Sequence, residues 1–386
     1  MINRREFIKT TAAASVAASL PYGCSKAEAQ PMKPNILYVF SDQWRWCDHG
    51  YAGNAEVQTP HIDQFAKQSV NFTHAVSGIP VCCPHRATLI TGKYALTHGL
   101  YLNDLSLAPE HRTVAHCLKD AGYKTGWIGK WHIDGQGREA YTPPERRQGF
   151  DYWRALECTH NYNHSPYYAD NSSEQKIWPG YDSIEQTKDA QEYLRKYARE
   201  NSGNPFALFM SWGPPHAPYH TAPEKYQKLY GDKHITLRKN VPESEREEAI
   251  KDYKGYYAHM TALDDCFGDL MKTLDETGMA DNTIVVYSSD HGDMLHSRGA
   301  MKKQQPWDES LRVPFLVRWP EKLKNRPKDI AMPIDTPDIM PTLLGLADVE
   351  IPAEVEGLDR SRIILGTEIA NTDHAAFIQC PSPFGQ

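Results

Sequence analysis

The chain lacks several features that would assign it to a specialised class of protein. After the first thirty residues, no stretch approaches the roughly 18 apolar residues that a membrane-spanning helix requires. None of the eight cysteines forms a C-x-x-C pair, which argues against a zinc ribbon and against a thioredoxin-type redox site. No period of about 20 to 50 residues repeats. We therefore expect a single globular domain with no stable membrane span.

The chain also lacks an excess of positive charge. Its 49 acidic and 42 basic residues give a formal net charge of -7, which argues against a general nucleic-acid-binding protein. An anionic substrate would therefore need a local cationic pocket. The 40% hydrophobic content is enough to bury the core of one large domain.

The first thirty residues have the pattern of an export signal. Arg4 and Arg5 precede an alanine-rich apolar stretch that runs to Leu20, and Ala27-Glu28-Ala29 is a small-x-small cleavage site. This pattern predicts a twin-arginine signal peptide over residues 1–29, a mature domain over residues 30–386, and the Tat export machinery as a partner. The protein is then periplasmic or secreted. Lipoprotein anchoring at Cys24 is the alternative, although the residues before this cysteine form a poor lipid-attachment sequence.

Short apolar runs alternate with helical patterns along the mature chain. The predicted strands cover residues 35–40, 125–129, 206–212, 283–288 and 313–319. Thr113 is the predicted cap of a helix that stops at Gly122, and helical spacing continues from Tyr256 to Gly278. This alternation predicts an α/β fold with a mostly parallel central sheet sandwiched by helices. Residues 151–181 and 219–245 are predicted to be long surface insertions.

Polar clusters follow four of the predicted strands. Because the carboxyl ends of parallel strands meet at one edge of a sheet, we expect these clusters to form a single reactive site. The clusters are Ser41-Asp42-Gln43, Gly129-Lys130-Trp131-His132, Pro214-Pro215-His216-Ala217-Pro218 and Ser289-Asp290-His291-Gly292-Asp293.

A fifth segment identifies a family. Residues 82–92, Cys82-Cys83-Pro84-His85-Arg86-Ala87-Thr88-Leu89-Ile90-Thr91-Gly92, resemble the C-x-P-x-R...T-G signature of the formylglycine-dependent (type I) sulfatases of the alkaline phosphatase superfamily. The resemblance runs from about Pro34 to the end of the chain. Its flanking pieces are Pro34-Asn35-Ile36, Thr59-Pro60-His61-Ile62-Asp63, Gly129-Lys130-Trp131-His132, Asp290-His291-Gly292 and Glu309-Ser310-Leu311-Arg312-Val313-Pro314.

The resemblance implies that Cys82 is converted to 3-oxoalanine (formylglycine) by a formylglycine-generating maturation enzyme. One hydroxyl of the hydrated aldehyde attacks sulfur, and the other later loses its proton and expels sulfate, whereas a serine would remain as a stable sulfate ester. By the same resemblance, Asp42, Gln43, Asp290 and His291 bind a divalent metal ion together with the modified Cys82. Oxygen-rich ligation favours calcium, although Gln43 replaces a usual aspartate and leaves manganese or another divalent metal possible.

Further roles are implied for the charged residues of the motifs. Arg86 holds the hydrated aldehyde, and Lys130 and Lys303 neutralise the sulfate oxygens. Lys302 competes with Lys303 for that role, but the spacing from Lys303 to Pro306-Trp307 fits the family pattern better. His132 is the candidate base and His216 the candidate acid, with exchange of the two roles left open.

The predicted substrate is a sulfated carbohydrate. His98, Asn103 and Arg298 are candidate sugar-binding residues, together with the aromatic residues of segment 151–181, although Trp153 and Tyr168 are equally compatible with the core. A phosphodiester or phosphonate monoester hydrolase with the same nucleophile is an alternative, and so is a non-catalytic sulfoglycan-binding protein. Relatives continue into a C-terminal antiparallel subdomain, which we expect to be missing or truncated here.

Overall fold

A ten-stranded sheet forms the centre of the protein. The computed structural model describes residues 33–200, 203–324 and 328–380. The strands are β1 (Asn35–Asp42), β2 (Val70–Phe72), β3 (Ala75–Val76), β4 (Lys124–Lys130), β5 (Tyr152–Leu156), β6 (Pro166–Ala169), β7 (Gln175–Ile177), β8 (Phe206–Pro215), β9 (Thr283–Ser289), β10 (Phe315–Arg318), β11 (Lys328–Ile330) and β12 (Ile334–Asp335). The sheet has the order β11-β2-β10-β9-β1-β8-β4-β5-β6-β7, and β3 pairs with β12 in a second, two-stranded sheet.

The sheet is mostly parallel, as the sequence predicted. Strands β9, β1, β8, β4 and β5 are parallel neighbours and form its centre. Strands β10 and β6 run antiparallel to the strands on either side of them. The strand predicted at residues 313–319 is therefore present as β10, but it runs against the parallel centre.

Helices cover both faces of this sheet. They are α1 (Pro60–Ala66), α2 (Cys82–Thr91), α3 (Ala95–His98), α4 (Val114–Asp120), α5 (Asp182–Glu200), α6 (Glu224–Gln227), α7 (Arg246–Glu276), α8 (Asp308–Leu311), α9 (Pro320–Leu323), α10 (Thr336–Leu346) and α11 (Ser361–Ile364). Short 3-10 helices cover Gly50–Ala52, Pro144–Arg146, Tyr219–Thr221, Glu243–Glu245 and Ser297–Gly299.

Strand β1 contributes to both layers of the core. Its side chains alternate, so Tyr38 and Phe40 pack in the cluster that includes α2, α4 and α10, while Leu37 and Val39 pack in the cluster that includes α5 and α7. Every residue of β1 is buried. A continuous apolar run with both faces covered is what a central parallel strand requires.

The two predicted helices are confirmed. Thr113 caps α4 by accepting the backbone N–H of His116, whose side chain completes a capping box. The chain then turns at Gly122, which has a φ of +92°. Helix α7 extends further towards its N-terminus than the predicted apolar spacing and is 31 residues long.

The interpretation of residues 151–181 as a surface insertion is wrong. This segment contributes β5, β6 and β7 to the edge of the main sheet. Trp153 and Tyr168 are buried, which assigns both to the core, and Tyr167 stacks on Trp178 at 3.8 Å between ring centroids. The polar and tyrosine-rich sequence concealed the strands because β6 and β7 lie at the sheet edge, where apolar alternation is weak. Tyr219, Tyr226 and Tyr230 of segment 219–245 are also buried.

Some predictions concern residues outside the described ranges. The signal peptide, its twin arginines and the anchoring alternative at Cys24 all lie before Lys33, where the described residues begin. Within the described ranges, no helix has both the length and the apolar character needed to cross a membrane. The domain boundary at residue 30 and the missing C-terminal subdomain stay predictions.

Candidate active site

The four predicted polar clusters meet at one edge of the sheet. Strands β9, β1, β8 and β4 are adjacent and parallel, so their carboxyl ends lie side by side. Asp42 ends β1, Lys130 ends β4, His216 follows β8, and Asp290 follows β9. This edge therefore brings together acids, bases and cations that are far apart in the sequence.

Cys82 begins helix α2 and points into this edge. Its Sγ lies 3.6 Å from Asp42 Oδ1 and 3.3 Å from His291 Nε2. All ten residues of α2 are buried, and the thiol-bearing residue is only 2% exposed. The first turn of a helix carries unpaired N–H groups and partial positive charge, so this position suits a group that reacts with an anion.

Four donor groups at the site are close enough to share one metal ion. Donor atoms of Asp42, Cys82, Asp290 and His291 all lie within 4.8 Å of one another, and the four residues are buried. His291 Nδ1 donates to the Gly292 carbonyl at 2.9 Å, which leaves the lone pair of Nε2 directed towards the carboxylates. Two carboxylates, an imidazole nitrogen and the oxygens of an oxidised Cys82 form a donor set that fits a divalent cation.

Gln43, the remaining predicted ligand, lies beside this group in a left-handed conformation with φ +73°. Its backbone N–H donates to Asp290 Oδ1 at 3.0 Å. Its side-chain Nε2 donates to Asp293 Oδ2 at 2.7 Å, and its Oε1 accepts from Lys303 Nζ at 3.0 Å. Asp293 thus fixes which way the amide of Gln43 faces, and it holds the oxygen on the side of the reactive lysine.

Arg86 bridges the two carboxylates. One terminal nitrogen lies 3.3 Å from Asp42 Oδ2 and 3.1 Å from Asp290 Oδ2. The other donates to the Lys130 carbonyl at 2.9 Å and to the Ser211 hydroxyl. The guanidinium also lies 4.9 Å from the centroid of the Phe40 ring. Arg86 therefore orients both carboxylates, and its own hydrogen bonds to Lys130 and Ser211 hold the guanidinium in place.

Burial and neighbouring charges shift the pKa values of the acidic groups at the site in opposite directions. Burial raises the pKa of the Asp42 carboxyl, but Lys130, whose Nζ lies 2.6 Å away, and the other nearby positive groups hold it well below its ordinary value. Burial and the charge of Asp42 raise the pKa of Asp290 to about 6. Burial and Asp42 also act to raise the pKa of the Cys82 thiol, yet Lys130, Lys303 and His291 together lower it. The surroundings of Cys82 therefore favour negative charge.

Lys303 and His216 form a hydrogen-bonded pair at the site. Lys303 Nζ donates to His216 Nε2 at 2.7 Å, and His216 Nδ1 donates to the Ala217 carbonyl at 2.9 Å. Burial and then the charge of Lys303 lower the pKa of His216 well below its ordinary value. Lys302, by contrast, is exposed. The geometry thus supports the choice of Lys303 over its neighbour.

His132 reaches the same region from the end of β4. It is 2% exposed, has a φ of +60°, and its Nε2 lies 3.0 Å from Asp104 Oδ1. His160 stacks on His216, with 4.6 Å between ring centroids and 15° between ring planes. Burial lowers the pKa of His160 to about 4.

The three predicted substrate contacts have different surroundings. His98 is buried, its Nε2 bonds Thr88 Oγ1 at 2.9 Å, and its Nδ1 accepts from the Leu100 backbone at 3.2 Å, which leaves no ring nitrogen free for a sugar. Asn103 Oδ1 accepts from the Cys83 backbone N–H at 3.0 Å at the start of α2, and its substrate contact stays a prediction. Arg298 is exposed and lies 3.9 Å from the Trp307 ring centroid, so its substrate contact stays a prediction.

Sequence reasoning missed Asp104, His160 and Asp293. Asp293 belongs to the polar cluster that follows β9, and its position after a strand is a signal that the sequence contains. Asp104 and His160 lie in loops, and their importance depends on contacts with residues more than 25 positions away. No local pattern marks such residues.

Solved structures with the same architecture include sulfatases. A structure from Bacteroides thetaiotaomicron, reported under the metabolism of multiple glycosaminoglycans, matches with a TM-score of 0.80 and 31% identity, covering 86% of this chain and 76% of that one. The mostly parallel sheet and the site at its edge therefore define a protein with the α/β fold of the alkaline phosphatase superfamily.

Sequence comparison identifies the family within that class. Residues 34–349 match the family described as Sulfatase. An ulvan-active sulfatase of Formosa agariphila is 46% identical over 357 residues, which cover 92% of this chain and 69% of that protein. An endo-4-O-sulfatase of Bacteroides thetaiotaomicron is 33% identical over 91% of this chain and 77% of that protein. The chain belongs to the sulfatase family and is a sulfuric ester hydrolase.

Proposed function

We propose that Cys82, oxidised to formylglycine, is the nucleophile with which this protein hydrolyses sulfate esters of an ulvan-type polysaccharide. The observation that carries the assignment of the nucleophile is the position of Cys82. It begins a buried helix, and its Sγ is grouped within 4.8 Å with donor atoms of Asp42, Asp290 and His291. The polysaccharide is inferred from the 46% identical ulvan-active relative.

The same donors are the proposed metal ligands. Asp42, Asp290, His291 and the oxidised Cys82 would hold the ion, and Gln43 would complete the set through Oε1. Calcium fits the predominance of oxygen donors, with manganese as the alternative. When bound, such an ion lowers the pKa of a hydroxyl that it contacts and offsets negative charge at the reacting sulfur.

The cations of the chain are proposed to stabilise the sulfate. Lys130 Nζ donates to Asp42 Oδ2 at 2.6 Å. Lys303 Nζ donates to Gln43 Oε1 at 3.0 Å. An arriving sulfate can exchange these contacts for its own oxygens without moving the lysines far. Since both cations are already in place, little reorganisation is required when charge moves onto the sulfate.

His216 is proposed to serve the departing alcohol as an acid. Lys303 donates to Nε2 of neutral His216, so a proton that moves from Lys303 Nζ to His216 Nε2 makes this histidine the acid. That proton can pass to the ester oxygen as the bond to sulfur breaks, which removes the need to expel a basic alkoxide. His132, which follows the neighbouring strand β4 at the same edge, is proposed to accept a proton.

Burial of Cys82 bears on its maturation. Because this residue is 2% exposed and lies within a fully buried helix, a separate enzyme cannot reach its side chain in the folded domain. We therefore propose that the formylglycine-generating enzyme acts before α2 packs. Export by the Tat machinery, with a periplasmic or extracellular location, is supported by the paired Arg4 and Arg5 and the apolar stretch that follows.

The test is coexpression of the full chain with a formylglycine-generating enzyme, followed by two measurements. Mass spectrometry of the Cys82 peptide should show the aldehyde, and the purified protein should release sulfate from ulvan oligosaccharides. A Cys82→Ala control should release none. A persistently unmodified thiol contradicts the nucleophile. Faster cleavage of an aryl phosphate diester than of an aryl sulfate would favour the phosphoester hydrolase, and binding without turnover by the oxidised protein would favour a sulfoglycan-binding role.

A further inference from the structure

The two ring nitrogens of His132 have different surroundings. Nε2 lies 3.0 Å from Asp104 Oδ1. Nδ1 is buried and has no hydrogen-bond partner within the described part of the chain. A buried polar atom without a partner is costly, so Nδ1 is the ring nitrogen that is open to a further partner. The left-handed backbone of His132 is a second strained feature at this position.

Asp104 is itself held in one orientation. Arg138 Nε donates to Asp104 Oδ1 at 3.1 Å, and a terminal nitrogen of Arg138 donates to Oδ2 at 2.9 Å. Such a two-point contact fixes the plane of a carboxylate. Hydrogen bonds from His132 and Arg138 also hold the pKa of Asp104 below its ordinary value, so the carboxylate is charged throughout the neutral range.

The residue before Asp104 contacts the nucleophile helix. Asn103 Oδ1 accepts from the backbone N–H of Cys83, the residue next to the nucleophile, at 3.0 Å. Two consecutive side chains of one loop thus bond to the start of α2 and to the ring of His132. This loop sets the relative position of these two elements.

We propose that Asp104 is a positioning residue that keeps a ring proton of His132 on Nε2 and leaves the lone pair of Nδ1 as the proton acceptor. This inference rests on the proposed function, within which it assigns a role to a residue outside the sulfatase motifs. When a hydroxyl of the reacting centre gives its proton to Nδ1, the O–H bond breaks, an N–H bond forms, and the electron pair stays on oxygen. The resulting imidazolium is stabilised by the adjacent carboxylate.

Asp104→Asn is the variant that tests this role. An amide can present its NH₂ group to Nε2, which moves the ring proton to Nδ1 and blocks the acceptor. We expect kcat to fall by about 10- to 100-fold with little change in KM, as is typical when the partner of an essential histidine is removed. Formylglycine content should equal that of the wild type.

Asp170→Asn is a matched control. Asp170 also has a left-handed backbone, with φ +52° against +64° for Asp104, and it also pairs with an arginine, Arg154, at 2.6 Å. No contact with a histidine is found for it within the described residues. We expect this variant to retain the wild-type kcat. If an aspartate in an arginine-paired turn contributes only to structure, kcat should fall equally in Asp104→Asn and Asp170→Asn.

Two further measurements separate this inference from the proposed function. In a His132→Gln background, Asp104→Asn should cause no additional loss of kcat, because Asp104 acts through the ring. In protein without formylglycine, ¹⁵N NMR of labelled histidine should place the His132 proton on Nε2 in the wild type and not in Asp104→Asn. Two results would overturn the role of Asp104: a wild-type tautomer with the His132 proton on Nδ1, or equal kcat in the wild type and in Asp104→Asn. Absence of sulfate release by the oxidised wild type would instead overturn the proposed function.

Discussion

Lys303 and His216 are 87 positions apart in the chain, and Lys303 Nζ lies 2.7 Å from His216 Nε2. The ammonium group donates, so the histidine at this position is neutral and carries its own proton on Nδ1. This contact links the residue proposed to stabilise sulfate with the residue proposed to protonate the alcohol. Loss of either partner should therefore affect more than one step.

The first prediction concerns Lys303 and its neighbour. Replacing Lys303 by Met removes a half-buried cation that is proposed to contact the sulfate, and we expect kcat to fall by about 10²- to 10³-fold. Since the charge of Lys303 helps to lower the pKa of His216, that pKa should rise in the variant, and the kcat profile should gain a dependence at higher pH. Steady-state rates with an aryl sulfate across pH would measure both effects.

Lys302→Met is the matched control. It changes the same side-chain type one position away, but Lys302 is exposed and lies outside the hydrogen bonds of the site among the described residues. We expect little change in kcat. A larger loss in this variant than in Lys303→Met would exchange the assignments of the two lysines.

The second prediction concerns the orientation of Gln43. Asp293 Oδ2 accepts from Gln43 Nε2 and from the Tyr219 hydroxyl. In Asp293→Asn, an NH₂ group facing Nε2 would force the Gln43 amide to flip and turn its own NH₂ towards Lys303, which is also a donor. We expect calcium affinity, measured by titration calorimetry, to fall by about 10- to 100-fold.

Tyr219→Phe separates this effect from a general disturbance of Asp293. The variant removes one hydrogen bond to the same oxygen and a longer contact from Gln43 Nε2, at 3.4 Å, but keeps the carboxylate that orients Gln43. Its calcium affinity should stay closer to that of the wild type. Equal losses of calcium affinity in Asp293→Asn and Tyr219→Phe would show that the orientation of the Gln43 amide does not determine calcium binding.

The sequence predicted the scaffold of the site better than its supporting contacts. The strands at residues 35–40, 206–212 and 283–288 are continuous apolar runs, because both faces of a central parallel strand are covered, and all three are confirmed. The polar residues after them could therefore be placed at one edge. Strands β6 and β7 were missed since edge strands with polar faces lack that signal.

The roles of Asp104 and Asn103 could not be found from the sequence for a different reason. Each acts through one hydrogen bond to a residue that the fold brings near, and neither lies in a periodic pattern. Amides suit contact with a sugar, which is the role that the sequence predicts for Asn103, and the structure adds that its Oδ1 accepts a helix N–H. In the sequence alone, an asparagine in a loop looks the same whether it contacts a sugar or accepts a helix N–H.

The third prediction concerns the glycine before Lys130. Gly129 has a φ of +102°, and a Cβ placed there would lie 2.1 Å from the Ser211 carbonyl oxygen on the neighbouring strand β8. Gly129→Ala must therefore separate β4 from β8 at the edge that carries the site.

Gly122 also has a positive φ, +92°, but a Cβ there meets no atom within 4 Å among the described residues. We expect Gly122→Ala to cost about 1–2 kcal/mol from backbone strain alone. Gly129→Ala should cost more and should also reduce kcat. Equal unfolding free energies in urea would contradict the steric argument.

The last prediction concerns stability and pH through Asp182, the first residue of α5. Burial raises the pKa of this carboxyl to about 7, and hydrogen bonds from Ser183 and Ser165 offset only part of that effect. In the unfolded chain the same group titrates near pH 4. Between these values the folded state holds a proton that the unfolded state has lost, so the free energy of unfolding should fall as pH rises from about 4 to about 7, by about 1.4 kcal/mol per pH unit at most. Asp182→Asn cannot titrate and should lose less stability than the wild type between pH 5 and pH 7, as measured by urea unfolding. An equal loss in the two proteins would mean that the carboxyl is already ionised in the folded protein over this pH range.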